Sequence, residues 1–162
     1  MVKQQESVEI YAREINEPIT LTMFLKTHIY GCWYESGSRL PEALYFAPHF
    51  AQSIANTHAG VHWGISYIAR IERVEVVESW QEFTAAIISV RGKHWWNSHS
   101  SEVKPLKTEW DWKSGKKRSF LFLSAPRLVF NPPVRKETLQ EGKGWLSKRF
   151  LSFDELFEAW GC

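Results

Sequence analysis

Only two cysteines occur in 162 residues, Cys32 and Cys162. That is too few for a disulfide framework, so the reading is a protein of a reducing, cytoplasmic setting. No stretch approaches 18 uninterrupted apolar residues, and MVKQQESVEI has no basic segment followed by an apolar block. Neither a membrane span nor a secretory leader is expected. The chain also lacks G-x-S-x-G, H-E-x-x-H and a phosphate-cradling glycine loop, so no complete catalytic motif is visible. No cofactor or metal is assigned.

What is abundant is aromatic. Nine tryptophans and ten phenylalanines contribute to a 15% aromatic share. Because tryptophan is seldom buried completely, some of these rings are expected at the surface. Net charge is only +2, but its distribution is uneven. Residues 1–90 carry six Lys/Arg against ten Asp/Glu, whereas residues 91–149 carry fourteen against five. Such a basic stretch suggests one face built to meet an anion, unless strand alternation scatters the charges around the fold.

The length suits one domain, residues 1–162, with a substantial core. ITLTMFL alternates with period two and predicts a strand, as does HIYGCWYE. Pro48 is expected to open a short helix through Ile54. GISYIARIERVEVVE predicts a long central strand, with Ile65, Tyr67, Ala69 and Ile71 on one side. Ser79 and Glu82 have capping-box spacing ahead of a helix, although AAIISV would also suit a strand. TEWDWK and RSFLFL are predicted as a hairpin around SGKK. Ser152, Glu155 and the pair Leu151 and Leu156 give the best-signalled helix, expected to dock on the core. Together these elements predict an α+β fold, a small curved sheet or pseudo-barrel with peripheral short helices.

The basic stretch interleaves cations with rings, a mixture suited to nucleic acid, where cations neutralise phosphates and flat rings accept unstacked bases. The candidate nucleic-acid-binding residues are Arg91, Lys93, His94, Trp95, Trp96, Lys104, Lys107, Lys113, Lys116, Lys117 and Arg118. Adjacent Trp95 and Trp96 cannot both point inward from an extended chain. Trp33, Tyr34, Trp63, Tyr67, Trp110 and Trp112 are candidate walls of a base pocket. If TEWDWK is a strand, Trp110 and Trp112 share one face, which serves a core as well as a pocket.

Two metal readings compete. His58 and His62 are spaced like ligands on one helical turn, with His49 and Cys32 available, but AGV between them makes a poor helix and loop histidines account for the spacing. Asp111 and Lys113, with Glu109 upstream, resemble the D-x-K strand of metal-dependent nucleases. Such a site needs another carboxylate on a preceding strand, and Glu102 lies in a serine-rich segment. Surface tryptophans could equally anchor a protein-interaction or inhibitor module.

The segment HWGISYIARIERVEVVES, with ALYFAPHF before it, resembles PUA-like domains, the superfamily containing EVE, ASCH and YTH modules. Gly64, Ile65, Tyr67, Ala69 and Ile71 match a strand pattern that is structural in that family. The resemblance implies a pseudo-barrel with flanking helices and, for many relatives, recognition of RNA or of modified DNA bases in an aromatic pocket. The combined expectation is a non-catalytic module that binds DNA or RNA, holding a modified or flipped base.

Overall fold

The computed structural model describes residues 9–113, 115–140 and 148–161. It is α+β and divides into two compact units. The first takes in the chain up to Asn16, Ser38–Arg70 and the chain from Ala125; the second is Glu17–Gly37 with Ile71–Ser124.

In the first unit, strand β1 (Ile10–Ile15) lies between parallel β3 (Tyr45–Phe50) and antiparallel β8 (Lys148–Leu151). Pairing on both edges explains why this short strand is largely buried. Ile10 and Ala12, two residues apart, face a core of Ala47, Ile65, Ile68, Phe130, Val134, Leu151 and Leu156. Tyr11, on the opposite face, meets Phe46 and Phe150 at ring-centroid distances of 6.2 and 5.2 Å.

The long strand predicted from Gly64 onward is interrupted. β4 (Gly64–Ile65) pairs with β3, and β5 (Tyr67–Val77) begins after Ser66, whose carbonyl accepts from the Val129 and Phe130 amides at 2.8 and 3.1 Å. Gly64 has φ 117°, and a Cβ there would stand 2.9 Å from Pro133 Cβ and from the Val134 carbonyl oxygen. Only glycine admits that approach, which lets Ile65 exchange two backbone hydrogen bonds with Val134. β7 (Arg127–Leu128) pairs with the start of β5.

Pro48 does not open a helix. It lies within β3, where the strand changes antiparallel partner from β5 to β4, an interruption that tolerates a missing amide donor. The helix, α2 (Gln52–Ala55), starts four residues later. The C-terminal helix α7 (Phe153–Trp160) forms as expected. Ser152 Oγ accepts the Glu155 amide and Glu155 Oε1 accepts the Ser152 amide, both at 3.1 Å, while Leu156 enters the core. α6 (Lys136–Gln140) completes this unit.

In the second unit, β2 (Ile29–Trp33) pairs antiparallel with β6 (Arg118–Leu123), which pairs antiparallel with the later half of β5. ITLTMFL, expected as a strand, belongs to helix α1 (Pro18–Thr27). Proline costs nothing at a helix start, and the buried residues Leu21, Met23, Phe24 and Thr27 follow helical spacing. α3 (Trp80–Arg91) starts at the expected Ser79 cap and continues through AAIISV. Gly92, with φ 89°, turns the chain into α4 (Lys93–Val103), followed by α5 (Pro105–Glu109).

TEWDWK is therefore not a strand, and no hairpin links it to RSFLFL. α5 ends at Glu109, and Trp110 to Lys113 form an irregular segment. These elements enclose Met23, Ile29, Val77, Phe83, Ile87, Val103, Leu106, Phe120 and Phe122. Among the described residues, the sheet does not close on itself as a barrel in either unit.

Candidate nucleic-acid interface

The arrangement at the open end of β2 and β6 begins with a residue that has no side chain. A Cβ on Gly31 would lie 2.6 Å from Trp110 Cη2 and 2.6 Å from Phe120 Cε1, so glycine there lets the Trp110 indole lie across the strand. Trp112 is fixed separately, its indole N–H donating to the Leu106 carbonyl at 2.8 Å. Both rings pack on Phe120, and Trp112 also stacks on Phe83. The period-two pattern of TEWDWK is met by a chain folded over the core.

Opposite Trp33 in the β2–β6 register stands Arg118. Its guanidinium carbon is 3.7 Å from the Trp33 ring centroid, 4.3 Å from that of Trp110 and 5.5 Å from that of Trp112. Three indoles thus form a cage that this arginine fills, with only 7% of the residue exposed. Arg118 Nη2 donates to the Asp111 carbonyl at 3.3 Å, while buried Nε has no hydrogen-bond partner among the described residues. Burial lowers the Arg118 pKa from its ordinary value, and the fields of Asp111 and Glu17 oppose that shift. Guanidinium stays charged under any physiological condition, so the cage holds a desolvated cation.

Above it lies an accessible rim. Trp33 and Tyr34 are 41% and 42% exposed, and the Tyr34 amide donates to the Lys117 carbonyl at 3.0 Å, extending the ladder past β2. Lys116 Nζ stands 5.6 Å from the Trp33 centroid and Lys117 Nζ 5.7 Å from that of Tyr34. Lys117 also reaches Glu78 at 3.8 Å. Two exposed rings, Trp33 at the end of β2 and Tyr34 just beyond it, therefore meet Arg118 at the start of β6 and the two lysines just before it.

The remaining predicted residues are placed differently. Arg91 is half-buried, and its Nη atoms donate to the carbonyls of Thr27, His28 and Leu123 at 3.0, 3.3 and 3.1 Å. Those contacts tie the end of α1 to the end of β6. Trp95 and Trp96 sit on α4, not on extended chain, and helical rotation lets both lie partly buried against the core. Lys93, His94, Lys104 and Lys107 are exposed on or beside α4 and α5.

Trp63 and Tyr67 belong to the first unit. Arg135 stacks over Trp63 at 3.9 Å, and Tyr67 meets Phe50 edge-on at 6.2 Å.

The nuclease reading loses its strand. Asp111 Oδ1 accepts the Lys113 amide at 2.9 Å, a local turn in irregular chain. Among the described residues, no three His, Cys, Asp or Glu side chains gather as a metal set. His58 Nδ1 instead lies 3.1 Å from the Ile54 carbonyl oxygen and 2.9 Å from Thr57 Oγ1.

One polar network had no counterpart in the sequence reading. Fully buried His49 accepts the Lys136 amide on Nε2 at 3.0 Å, and Lys136 Nζ donates to Glu14 at 2.8 Å. Gly31 was likewise missed, although a glycine inside an aromatic strand is a sign of close approach.

No protein-family model matches the chain, and no curated protein matches it in sequence. Solved structures do resemble it in fold. The ASCH protein of Zymomonas mobilis is similar with a TM-score of 0.56 at 9% identity, over 94% of each chain. A point-mutant form of that protein gives 0.53, over 95% of this chain and 96% of the other. The N-terminal domain of McrB from Staphylothermus marinus gives 0.51 at 10% identity, over 98% and 97%. At the level of fold, the chain is therefore similar to ASCH proteins, one of the three kinds of module named together in the sequence resemblance. No helix among the described residues is long and apolar enough to cross a membrane.

Proposed function

We propose that this protein is a non-catalytic nucleic-acid-binding module of the cytoplasm, and that it takes an unpaired base, flipped or in a single strand, on the exposed face of Trp33. The observation that carries this reading is the rim: Trp33 and Tyr34 stand open to solvent beside Lys116 and Lys117. Exposed aromatic rings held at the end of a strand ladder offer flat faces on which bases stack. Flanking ammonium groups supply the phosphate contacts that give affinity. The fold likeness to ASCH and McrB domains is compatible with this role.

The test is a titration with fluorescently labelled single-stranded RNA and DNA, with and without a methylated base, across a salt series. Two phosphate contacts on a single strand give a slope of log affinity against log salt of about −1.4. Trp33→Ala should remove about 1–3 kcal/mol, or about 5- to 150-fold in affinity. Affinity indifferent to both salt and Trp33 would end the proposal.

A further inference from the structure

The lysines of α4 and α5 differ from Arg91 and Lys117 in what holds their charge. Arg91 is committed to three backbone carbonyls, and Lys117 stands 3.8 Å from Glu78. Lys93, Lys104 and Lys107 are exposed, and among the described residues no ion pair or hydrogen bond engages their ammonium groups. The acids nearby are otherwise engaged: Glu102 faces His99 at 3.3 Å and Asp111 accepts the Lys113 amide, which leaves Glu109 as one exposed carboxylate against three lysines. Helical geometry gathers those lysines. At 3.6 residues per turn, Lys104, which caps α4 in helical conformation, follows Lys93 by about three turns and lies on the same line, about 16 Å along the axis. Exposed Asn97 and Ser101 fall beside that line, whereas Glu102 lies about 160° round the helix from Lys104. The Lys107 amide donates to the Lys104 carbonyl at 3.0 Å, which carries the line into α5.

The line also has a direction. At Arg91 the chain is tied to the carbonyls of His28 and Leu123, where β2 begins and β6 ends. At Trp110 it has reached Arg118, at the opposite end of the same strand pair, beside Trp33. Between those points α4 and α5 run the length of the pair and bring their lysines up to the Trp33 rim. We propose that α4 and α5 form a phosphate track: a single-stranded nucleic acid with one base on Trp33 continues past the rim and lays its backbone along Lys107, Lys104 and Lys93. This rests on the nucleic-acid reading above and extends it from one base to a run of several nucleotides. Ammonium groups spaced along a helix neutralise successive phosphates without reading base identity, and the Asn97 amide and Ser101 hydroxyl beside them suit phosphate and sugar oxygens. An acidic peptide would match the charge but leave the exposed indole at the end of the line unused.

Labelled single-stranded oligonucleotides of about 3 and about 12 nucleotides, titrated against the whole protein across a salt series, test the proposal. The short strand reaches only the rim, and its log affinity should fall against log salt with a slope of about −1.4, for two phosphate contacts. The long strand adds three contacts, and its slope should be about −3.5. Lys93→Gln, Lys104→Gln and Lys107→Gln combined in one variant should return the long strand to about −1.4 and leave the short one unchanged. Glutamine has a helix propensity close to that of lysine, so the variant removes charge and keeps the helices. A long strand whose slope is no steeper than the short one's, or is not moved by the triple variant, overturns the track, as does a variant that lowers both slopes alike. In each of those cases, a loss of short-strand affinity in Trp33→Ala leaves the rim reading standing. Binding of both lengths that is indifferent to Trp33→Ala removes the rim and the track together.

Discussion

Replacing Gly31 with alanine adds one methyl group, yet the cage makes that addition costly. The new Cβ would stand 2.6 Å from both Trp110 Cη2 and Phe120 Cε1, and 2.9 Å from Trp110 Cζ3. Ordinary carbon contacts lie at about 3.5–4.0 Å, so the indole must retreat by about 1 Å. Phe120 is fully buried and cannot give way without disturbing Phe83, on which it stacks at 3.8 Å. Overpacking of this kind costs about 1–3 kcal/mol. Against it stands the gain of about 0.5–1 kcal/mol that alanine brings over glycine within a strand.

The net expectation is a destabilisation of about 1 kcal/mol and at most about 2.5 kcal/mol, accompanied by loosening of Arg118 from Trp110. Urea unfolding followed by tryptophan fluorescence measures the first, and weakened oligonucleotide binding reports the second. Repeating the substitution in a Trp110→Ala background removes two of the three nearest clashes and leaves that with Phe120. The cost should then shrink, giving a measurable coupling between the two sites. A Gly31→Ala protein as stable as the parent, or more so, with unchanged emission, would refute the close-packed cage.

Arg91→Met should destabilise by about 2–4 kcal/mol in urea unfolding, because three backbone carbonyls lose a charged donor at once. A loss of nucleic-acid binding without that stability change would instead mark Arg91 as a phosphate contact. His49 gives a pH dependence with a definite sign. Burial lowers its pKa, Glu14 partly opposes the shift, and Lys136 and Glu137 also act on it. The imidazole is therefore held neutral, and its contribution is fully present above the ordinary value of about 6.5 and lost as pH falls through the lowered folded value. Urea midpoints measured from pH 8 down to pH 5 should fall, and His49→Gln should flatten the decline. Some decline remains, since burial and the nearby Arg91 also lower the pKa of His28. Ser152→Ala should cost about 1 kcal/mol, and combining it with Glu155→Ala should cost less than the sum, because the capping bonds are reciprocal.

The elements legible in the sequence were those whose signals are local. Ser152 and Glu155 define a helix start by their own spacing, and they cap α7 as written. RSFLFL is buried along its whole length in β6, and IYGCW forms β2. Local alternation failed where it lacked the partner strand that gives it meaning. The threonines of ITLTMFL imitate a strand, but Pro18 fixes a helix start and His28, in the left-handed conformation, fixes its end. In TEWDWK the alternation coincides with the end of α5, whose Pro105 was the better guide.

The site was legible as a composition and not as a geometry. A basic stretch rich in tryptophan supplies several of the residues that meet at the end of β2 and β6, but charge counting treats all arginines alike. Arg91 and Arg118 show why it cannot distinguish them. Arg91 spends its donors on three carbonyls that a helix end and a strand end leave open, so its charge is held by backbone dipoles. Arg118 meets ring faces, which balance charge while leaving Nε without a partner among the described residues. The two cations lie in one packed unit and differ in what their donors touch. That difference follows from contacts across the fold, Trp33 to Arg118 through strand pairing and Trp110 to Gly31 through close approach. Neither contact leaves a trace in spacing along the chain, which is why the exposed pair Trp33 and Tyr34, distant in sequence from the basic stretch, joins it only in three dimensions.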